Sequence, residues 1–322
     1  MSDLGPTLLL LAVAALSRSL ILRHPRHAPC SQVAAPSDAL LLPISPRTRF
    51  ILSTSGRAAS SRRYRALLRD VLRLDAAYLP FSAPSGGAVS AHRFVAALRG
   101  LNCLGGAISR DIKAAILPLL DEVEPLAAAC GSVNTVVVRG ERLLGFNTDA
   151  LGFARAIAEG TRALPRRVAK AVVYGYGGVA GTVAAVLRRE GVEVRLTGRC
   201  PQRAAARAAQ LGLPALEPSW LPADLLVNAA PGVTEDPALG APHLRAALEG
   251  VVAVFDHEMP GEGLRDFCAA RGVAHIPGTA MYGPQMVAQW ALLLEGVVPA
   301  GTDVDAALAA AEAVVAGQGE GQ

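Results

Sequence analysis

Aromatic residues make up only 4% of this 322-residue chain, so aliphatic side chains must fill most of its core. Hydrophobic residues nevertheless account for 52% of the sequence and charged residues for 18%, a composition that excludes wholesale disorder. The length corresponds to about two domains of roughly 150 residues each.

Blocks of five or six like charges are absent, and basic residues do not alternate with aromatic ones as they do on nucleic-acid surfaces. The formal net charge is +4, and the isoelectric point is about 9.0. This mild positive surplus favours attraction for small anionic molecules. We expect a small-molecule substrate as the partner, no nucleic acid, no membrane, and a monomer or homodimer.

The five cysteines lie far apart and form no C-x-x-C pair. An odd number at this low density favours reduced thiols over a disulfide framework. We therefore expect a cytoplasmic protein, and we expect no metal site.

Long apolar runs are also missing. The best candidate for a membrane or targeting segment, Leu8–Leu16, has nine apolar residues, whereas a helical span needs about 20. Only Asp3 precedes this run, so the basic region of a secretory signal is missing. Residues 18–49 are rich in Arg, Ser and Pro, as in a transit peptide, and export or organelle import stays open as an alternative. We expect residues 1–47 to form a loosely ordered extension.

Strands and helices alternate from about Phe50 onward. In the first half we predict helices at 62–74, 113–123 and 148–159 and strands at 76–81, 107–110, 134–138 and 142–146. The best linker lies at 161–167. Beyond it, apolar strands at 169–175, 192–198, 224–230, 251–256 and 273–276 alternate with helices, and two further helices follow at 281–296 and 303–316. This alternation predicts a parallel sheet covered on both faces.

A glycine-rich turn joins the strand at 169–175 to the next helix. Gly175, Gly177 and Ala180 fit the pattern G-x-G-x-x-G/A, with Gly178 and Val179 between them. Glycines permit a tight turn and a close approach of a pyrophosphate, and the helix N-terminus offers free N–H groups. We predict dinucleotide binding at this turn, the alternative being a purely structural loop.

The end of the following strand indicates which dinucleotide binds. An NAD site carries an acidic residue there, but this chain has Thr197 and Arg199, with Arg203 one helical turn later. Guanidinium groups suit a 2′-phosphate because they bind it through charge-assisted hydrogen bonds. NADP is therefore favoured over NAD, unless these arginines are merely solvated surface.

Two polar clusters stand in apolar surroundings: GSVNTVV at 131–137 and GFNTDALGF at 145–153. Taken singly, Asn134 and Asn147 would be turn residues, and Asp149 an acid at a helix N-terminus. Together the clusters resemble the shikimate/quinate dehydrogenase family, whose members carry A-V-N-T and then G-x-N-T-D-x-x-G. The segment 117–137 is particularly similar to the shikimate dehydrogenase domain at the end of the fungal pentafunctional aromatic-pathway protein.

The resemblance covers about 48–300 and implies an α/β fold of two domains. The first is an N-terminal substrate-binding catalytic domain at 48–160, completed by a helix at 281–300. The second is a C-terminal NADP-binding Rossmann domain at 161–280, followed by a helix and tail at 301–322.

The same resemblance implies roles for individual residues. Lys113 and Asp149 correspond to the catalytic pair, in which a lysine ammonium beside a carboxylate supplies a proton to a reduced ketone. The substrate-binding positions are Ser60, Ser109, Asn134, Asn147 and Gln285. The cofactor-binding positions are Gly175, Gly177, Gly178, Val179, Ala180, Thr197, Arg199, Arg203, Asn228, Gly278 and Met281.

The sequence departs from the family at the end of the site that holds the substrate carboxylate. The S-x-S-P segment has become roughly residues 58–61 and keeps Ser60. Residues 107–113 keep Ser109 but lack the family's asparagine and proline, and the D-x-x-Y tyrosine is replaced in 256–259. Each lost hydroxyl removes a hydrogen bond of about 1 kcal/mol or more.

The resemblance implies an NADP-dependent oxidoreductase that interconverts a cyclic 3-oxo acid of the 3-dehydroshikimate type and its alcohol, in aromatic amino acid biosynthesis or quinate metabolism. The altered carboxylate end leaves a second hypothesis open, a non-catalytic sensor or repressor that binds shikimate or quinate. A Rossmann protein of unrelated chemistry is the third.

Overall fold

A computed structural model describes residues 44–54, 58–81, 89–109, 112–230, 232, 242–257 and 262–319 of the chain. Most of the predicted N-terminal extension, residues 1–43, lies outside these ranges. Its last residues form a turn in which Ser45 N donates to Thr48 Oγ1 at 2.8 Å. The Thr48 hydroxyl donates in turn to Asp75 Oδ1 at 2.7 Å. The described residues fold around two β-sheets.

The first sheet has six strands in the order β2-β1-β3-β5-β6-β4. β1, β2 and β3 are parallel, whereas β5 runs antiparallel to both β3 and β6. The first half is therefore a mixed sheet rather than part of one parallel sheet. The strands are β1 (Arg49–Ser53), β2 (Ala76–Pro80), β3 (Cys103–Ala107), β4 (Glu122–Val123), β5 (Thr135–Arg139) and β6 (Arg142–Phe146).

The second sheet has five strands, all parallel, in the order β11-β10-β9-β7-β8. Its strands consist largely of buried aliphatic residues, as expected of a sheet covered on both faces. The parallel sheet predicted for the second half is confirmed. The strands are β7 (Lys170–Tyr174), β8 (Glu193–Thr197), β9 (Leu225–Asn228), β10 (Ala253–Asp256) and β11 (Ala274–Pro277).

Ten α-helices lie within the described residues. They are α1 (Ala58–Ala66), which continues as a π-turn over Leu67–Val71, α2 (Ala91–Gly100), α3 (Pro125–Cys130), α4 (Thr148–Gly160), α5 (Gly178–Arg189), α6 (Pro201–Gln210), α7 (Pro242–Leu248), α8 (Glu262–Arg271), α9 (Thr279–Leu294) and α10 (Val304–Gly319). None of these helices is both long and apolar enough to cross a membrane.

Helix α9 contributes to both halves of the molecule. Met281, near its start, belongs to the apolar core of the second sheet, together with Phe153 of α4. Trp290 and Leu293, further along, belong to the core of the first sheet. The helix therefore runs from one sheet to the other alongside α4.

Two predictions in the first half are wrong. The strand expected at 107–110 lies earlier, at β3. Gly105 and Gly106 interrupt the apolar pattern there, so the sequence does not indicate the strand. An added Cβ at Gly105 would lie 2.2 Å from Val136 O, so the neighbouring strand approaches too closely for a side chain. The helix expected at 113–123 is replaced by turns and a short 3₁₀ segment at Leu117–Leu119, because Pro118 interrupts it.

Candidate active site

Asp149 lies in the first turn of α4, a favourable position for an acidic residue because of the helix dipole. The helix begins there because Asn147 is its N-cap, with Oδ1 accepting from Ala150 N at 3.1 Å. Asp149 is only 6% exposed. A carboxylate this deeply buried needs partners for both of its oxygens.

Both oxygens have a partner. Lys113 Nζ donates to Asp149 Oδ2 at 2.5 Å, forming a partly buried ion pair. Asn134 Nδ2 donates to Asp149 Oδ1 at 2.7 Å. Lys113 itself is positioned by the backbone, since its carbonyl accepts from Val133 N at 2.9 Å. The structure thus brings together the two residues predicted to form the catalytic pair.

Asn134 is the centre of a buried hydrogen-bond network. Its Oδ1 accepts from Thr148 N at 2.8 Å and from Thr135 Oγ1 at 2.9 Å. Its Nδ2 also reaches Thr148 Oγ1 at 3.0 Å. Its amide therefore orients Asp149, and its predicted contact with a substrate hydroxyl stays a prediction.

Gln289 completes this network, although the sequence analysis missed it. Its Nε2 donates to Thr135 Oγ1 at 2.8 Å and to the Asn134 carbonyl at 3.3 Å. In the sequence, its buried role is indicated by its position in α9, one turn after Gln285 and among apolar residues. Gln285 is half-buried on α9, where α9 packs closely on Gly152 of α4.

His257, directly after β10, is a second residue that the sequence analysis did not place in the site. Burial lowers the pKa of its imidazole, the Asp149 carboxylate raises it, and the Lys113 ammonium lowers it. The imidazole therefore interacts electrostatically with both members of the ion pair. The residue that follows β10 therefore lies near the Lys113–Asp149 pair.

The glycine-rich turn lies at the carboxyl end of β7. Gly175 has a φ of +141°, and an added Cβ would lie 2.9 Å from the backbone of Ala229, so only glycine fits. Gly177 and Gly178 are exposed, with nothing within 4 Å of an added Cβ. Helix α5 begins at Gly178, and no side chain caps its N-terminus. This open cradle of backbone N–H groups fits a pyrophosphate.

The remaining loop residues support this cradle. Ala180 is buried and Val179 packs on the core of the second sheet, so both anchor α5. Thr197 is buried at the end of β8, where its carbonyl accepts from Gly175 N at 2.9 Å. Thr197 therefore stabilises the glycine-rich turn through its backbone carbonyl. Arg199 and Arg203 are exposed, and neither forms an ion pair with a described residue.

Three positions with predicted ligand contacts have structural roles within the chain itself. Asn147 is buried and its Nδ2 donates to Ser132 O at 2.9 Å, so it joins chain segments, and its contact with a substrate stays a prediction. Asn228 is buried and its Nδ2 donates to Asp256 Oδ1 at 2.8 Å, so its side chain links β9 to β10, and its contact with a cofactor stays a prediction. Met281 is a buried core residue.

The other predicted positions fall as follows. Gly278 precedes α9, and an added Cβ would lie 2.8 Å from Asp256 O, which explains the glycine by close packing. Ser109 follows β3, and its hydroxyl lies 3.1 Å from Thr54 Oγ1 at the carboxyl edge of the first sheet. Ser60 is in α1, but its side chain is outside the described part of the structure.

Within the described ranges, no group of three or more His, Cys, Asp or Glu side chains is arranged to hold a metal ion.

Comparison with known proteins was made by sequence and by structure. The family profile of the shikimate dehydrogenase substrate binding domain matches residues 58–136. A crystal structure of shikimate 5-dehydrogenase from Thermus thermophilus, in complex with NADP(H) and shikimate, superposes with a TM-score of 0.61 and 31% sequence identity. That superposition covers 82% of this chain and 99% of the Thermus chain. The chain belongs to the shikimate dehydrogenase family.

Curated relatives agree with this assignment. Shikimate dehydrogenase (NADP(+)) of Thermus thermophilus is 44% identical over 143 residues, which is 44% of this chain and 51% of the relative. The enzyme of the same name from Paramagnetospirillum magneticum is 38% identical over 152 residues, 46% of this chain and 53% of the relative. In these alignments the chain spans about half the length of the curated shikimate dehydrogenases it matches.

Proposed function

We propose that this chain is an NADP-dependent oxidoreductase that interconverts a cyclic 3-oxo acid of the 3-dehydroshikimate type and its alcohol. The observation that carries the proposal is the Lys113–Asp149 ion pair, with Asn134 on the second carboxylate oxygen. The dehydrogenase names of the relatives and the NADP(H) and shikimate bound by the Thermus enzyme support the choice of cofactor and substrate.

The glycine-rich turn would hold the pyrophosphate of the cofactor on the N–H groups of Gly177 and Gly178. Arg199 and Arg203, both exposed beyond β8, would bind the 2′-phosphate. When bound, NADPH supplies a hydride to the ring carbonyl carbon, and NADP⁺ accepts it in the reverse direction.

The lysine completes the chemistry. As the carbonyl carbon is reduced, negative charge develops on the ring oxygen, and Lys113 Nζ gives that oxygen a proton to form the alcohol. In the reverse direction the uncharged Lys113 amine takes the hydroxyl proton. Asp149 keeps the ammonium in position, and it accepts from Nζ at 2.5 Å. Partial burial of the pair strengthens this interaction relative to an exposed one.

The alternative of a non-catalytic sensor gains no support from the described residues. Its motivation was the altered carboxylate end, whereas both residues expected to move the proton are present and paired. The domain bounds of 48–160 and 161–280, the cytoplasmic location, and the monomeric or homodimeric state stay predictions from the sequence.

Turnover tests the proposal. Purified protein mixed with shikimate or quinate and NADP⁺ should produce NADPH, followed by its absorbance, with NAD⁺ a poorer cofactor. A chain that binds one of these acids, and is stabilised thermally by it, yet never produces NADPH would support the sensor and overturn the enzyme.

A further inference from the structure

Four side chains near the start of α9 form a polar group that the proposed mechanism does not use. They are Arg63, Tyr64, Tyr78 and Tyr282, here called the arginine–tyrosine cluster. Arg63 Nη2 donates to Tyr64 Oη at 3.0 Å and to Tyr282 Oη at 3.4 Å. The two tyrosine hydroxyls are themselves 3.4 Å apart. The guanidinium also lies over the Tyr64 ring, 4.8 Å from its centroid.

The cluster adjoins the carboxyl edge of the first sheet. The Tyr78 hydroxyl hydrogen-bonds the side chain of Ser53, the last residue of β1. Ser53 pairs with Ala107, the last residue of β3. The chain then passes through Ser109 to Lys113, so the segment that delivers the lysine begins beside this tyrosine.

The cluster also adjoins α9, the helix that packs on α4, which carries Asp149. Tyr282 stands one turn before Gln285 on this helix, and is 39% exposed. Gln285 Cβ lies close to Gly152, one turn after Asp149 in α4. The cluster therefore lies beside elements that lead to candidate site residues, namely the ends of β1 and β3 and the start of α9.

The charges in the cluster suit an anion. The Arg63 side chain is only 16% exposed, and its Nε is buried without a hydrogen-bond partner among the described residues. Its ion-pair partner is Glu312 of α10, whose side chain is 58% exposed and can rotate into solvent. Burial raises the pKa of both Tyr64 and Tyr78, so these hydroxyls are neutral donors.

We propose that the arginine–tyrosine cluster binds the carboxylate of the cyclic substrate. A planar guanidinium with adjacent hydroxyl donors matches the two in-plane oxygens of a carboxylate, which a single hydroxyl does not. The carboxylate would replace Glu312 as the anionic partner of Arg63. This inference rests on the proposed function only because that function identifies the substrate as a cyclic acid. The cluster is assigned to substrate binding and not to proton transfer.

Binding measured without cofactor separates this inference from the proposed function. Arg63→Met should weaken shikimate binding by about 10- to 100-fold, because a charge-assisted contact is lost. Binding of the methyl ester of shikimate, which lacks the negative charge, should change less than about 3-fold on the same substitution. Where turnover occurs, KM should rise and kcat should stay within about 3-fold of wild type.

Two matched variants guard against simple misfolding. Glu312→Gln removes the competing anion but keeps the guanidinium, and should bind shikimate as tightly as wild type or more tightly. Tyr282→Phe keeps an exposed ring but removes a hydroxyl, and should weaken shikimate but not its ester. Unchanged shikimate affinity in Arg63→Met, or equal losses for acid and ester in both Arg63→Met and Tyr282→Phe, would overturn the inference while leaving the proposed function intact. A wild-type chain that binds neither shikimate nor quinate would overturn it as well.

Discussion

Asp149 has little freedom to move, because Lys113 and Asn134 each hold one of its oxygens. An exposed ion pair of two flexible side chains contributes little and changes geometry easily. The buried asparagine prevents such motion here, since Thr148, Thr135 and Gln289 fix its own position or its neighbours. The pair is therefore arranged in advance for the proton transfer proposed above.

Asn147 is the residue at which a structural role and a substrate role make different predictions. Asn147→Ala should lower the free energy of unfolding by about 1–3 kcal/mol, because the α4 cap and a buried hydrogen bond are lost. KM for the cyclic acid should not change. Urea unfolding and steady-state kinetics measure the two effects. Ser90→Ala, which removes the exposed cap of α2, is the control and should cost about 1 kcal/mol or less. A large rise in KM at wild-type stability would contradict this expectation and support the substrate role.

Arg199 should determine the preference for NADP. Arg199→Ala should weaken NADP⁺ binding at least about 10-fold and leave NAD⁺ binding nearly unchanged, because only the 2′-phosphate loses a charge-assisted partner. Calorimetric titration with both cofactors measures this. Arg188→Ala, at the opposite end of α5, is the matched control and should alter neither affinity. Equal losses for the two cofactors in Arg199→Ala would contradict the assignment.

At the scale of single residues, the resemblance of the sequence to a known family was sufficient to select Lys113 and Asp149, which form an ion pair in the structure. It did not reveal the structural hydrogen bonds of Asn147 and Asn228, and it missed Gln289. A buried amide has the same letter whether it meets a ligand or the chain's own backbone, and only the fold decides which partners it finds.

At the scale of elements, the glycine-rich turn contains glycines of two kinds, and substitution should separate them. Gly177→Val should reduce NADP⁺ affinity at least about 10-fold with an unchanged Tm, because the side chain would occupy the open space over the cradle. The backbone of Gly177 has a φ of −80°, which is accessible to any residue. Calorimetric titration measures the NADP⁺ affinity, and thermal unfolding measures the Tm.

Gly175→Ala is the contrasting variant. It should lower the free energy of unfolding by about 1–3 kcal/mol, since an alanine there would be strained and would meet Ala229 at 2.9 Å. Wild-type cofactor affinity in Gly177→Val would place the pyrophosphate elsewhere.

The second half of the fold was predictable because the central strands of its parallel sheet, β7, β9 and β10, are largely buried apolar runs that alternate with helices. The first half of the fold was less predictable from the sequence. Close approach of Val136 and of the Phe94 ring requires Gly105 and Gly106 within β3, and glycine is depleted in strands in general. The hairpin of β5 and β6, which turns at Arg139 and Gly140, is local and was predictable. The antiparallel pairing of β5 with β3 is long-range, and local periodicity does not encode it.

At the scale of the whole molecule, stability should fall as the pH drops below about 6.5, the usual pKa of histidine. Burial lowers the pKa of both His257 and His275 in the folded chain. Between the folded pKa and about 6.5 the unfolded chain binds protons that the folded chain does not, so acidification favours unfolding. Urea midpoints at about pH 7.5 and about pH 5.5 measure this loss.

The variant His257→Gln/His275→Gln should lose less stability over that interval than wild type. His92→Gln, on the exposed face of α2, should lose as much as wild type. The same pH dependence in all three proteins would assign the acid sensitivity to other groups.

The central claim is that Lys113, held by Asp149, moves the proton during reduction of a ring ketone. Comparison of kcat for Lys113→Met and wild type tests it most directly, with NADPH absorbance as the readout. We predict a fall in kcat of about 10²- to 10⁴-fold with the dissociation constant of NADP⁺ within about 2-fold of wild type. A Lys113→Met variant that turns over within a few-fold of wild type would contradict the account.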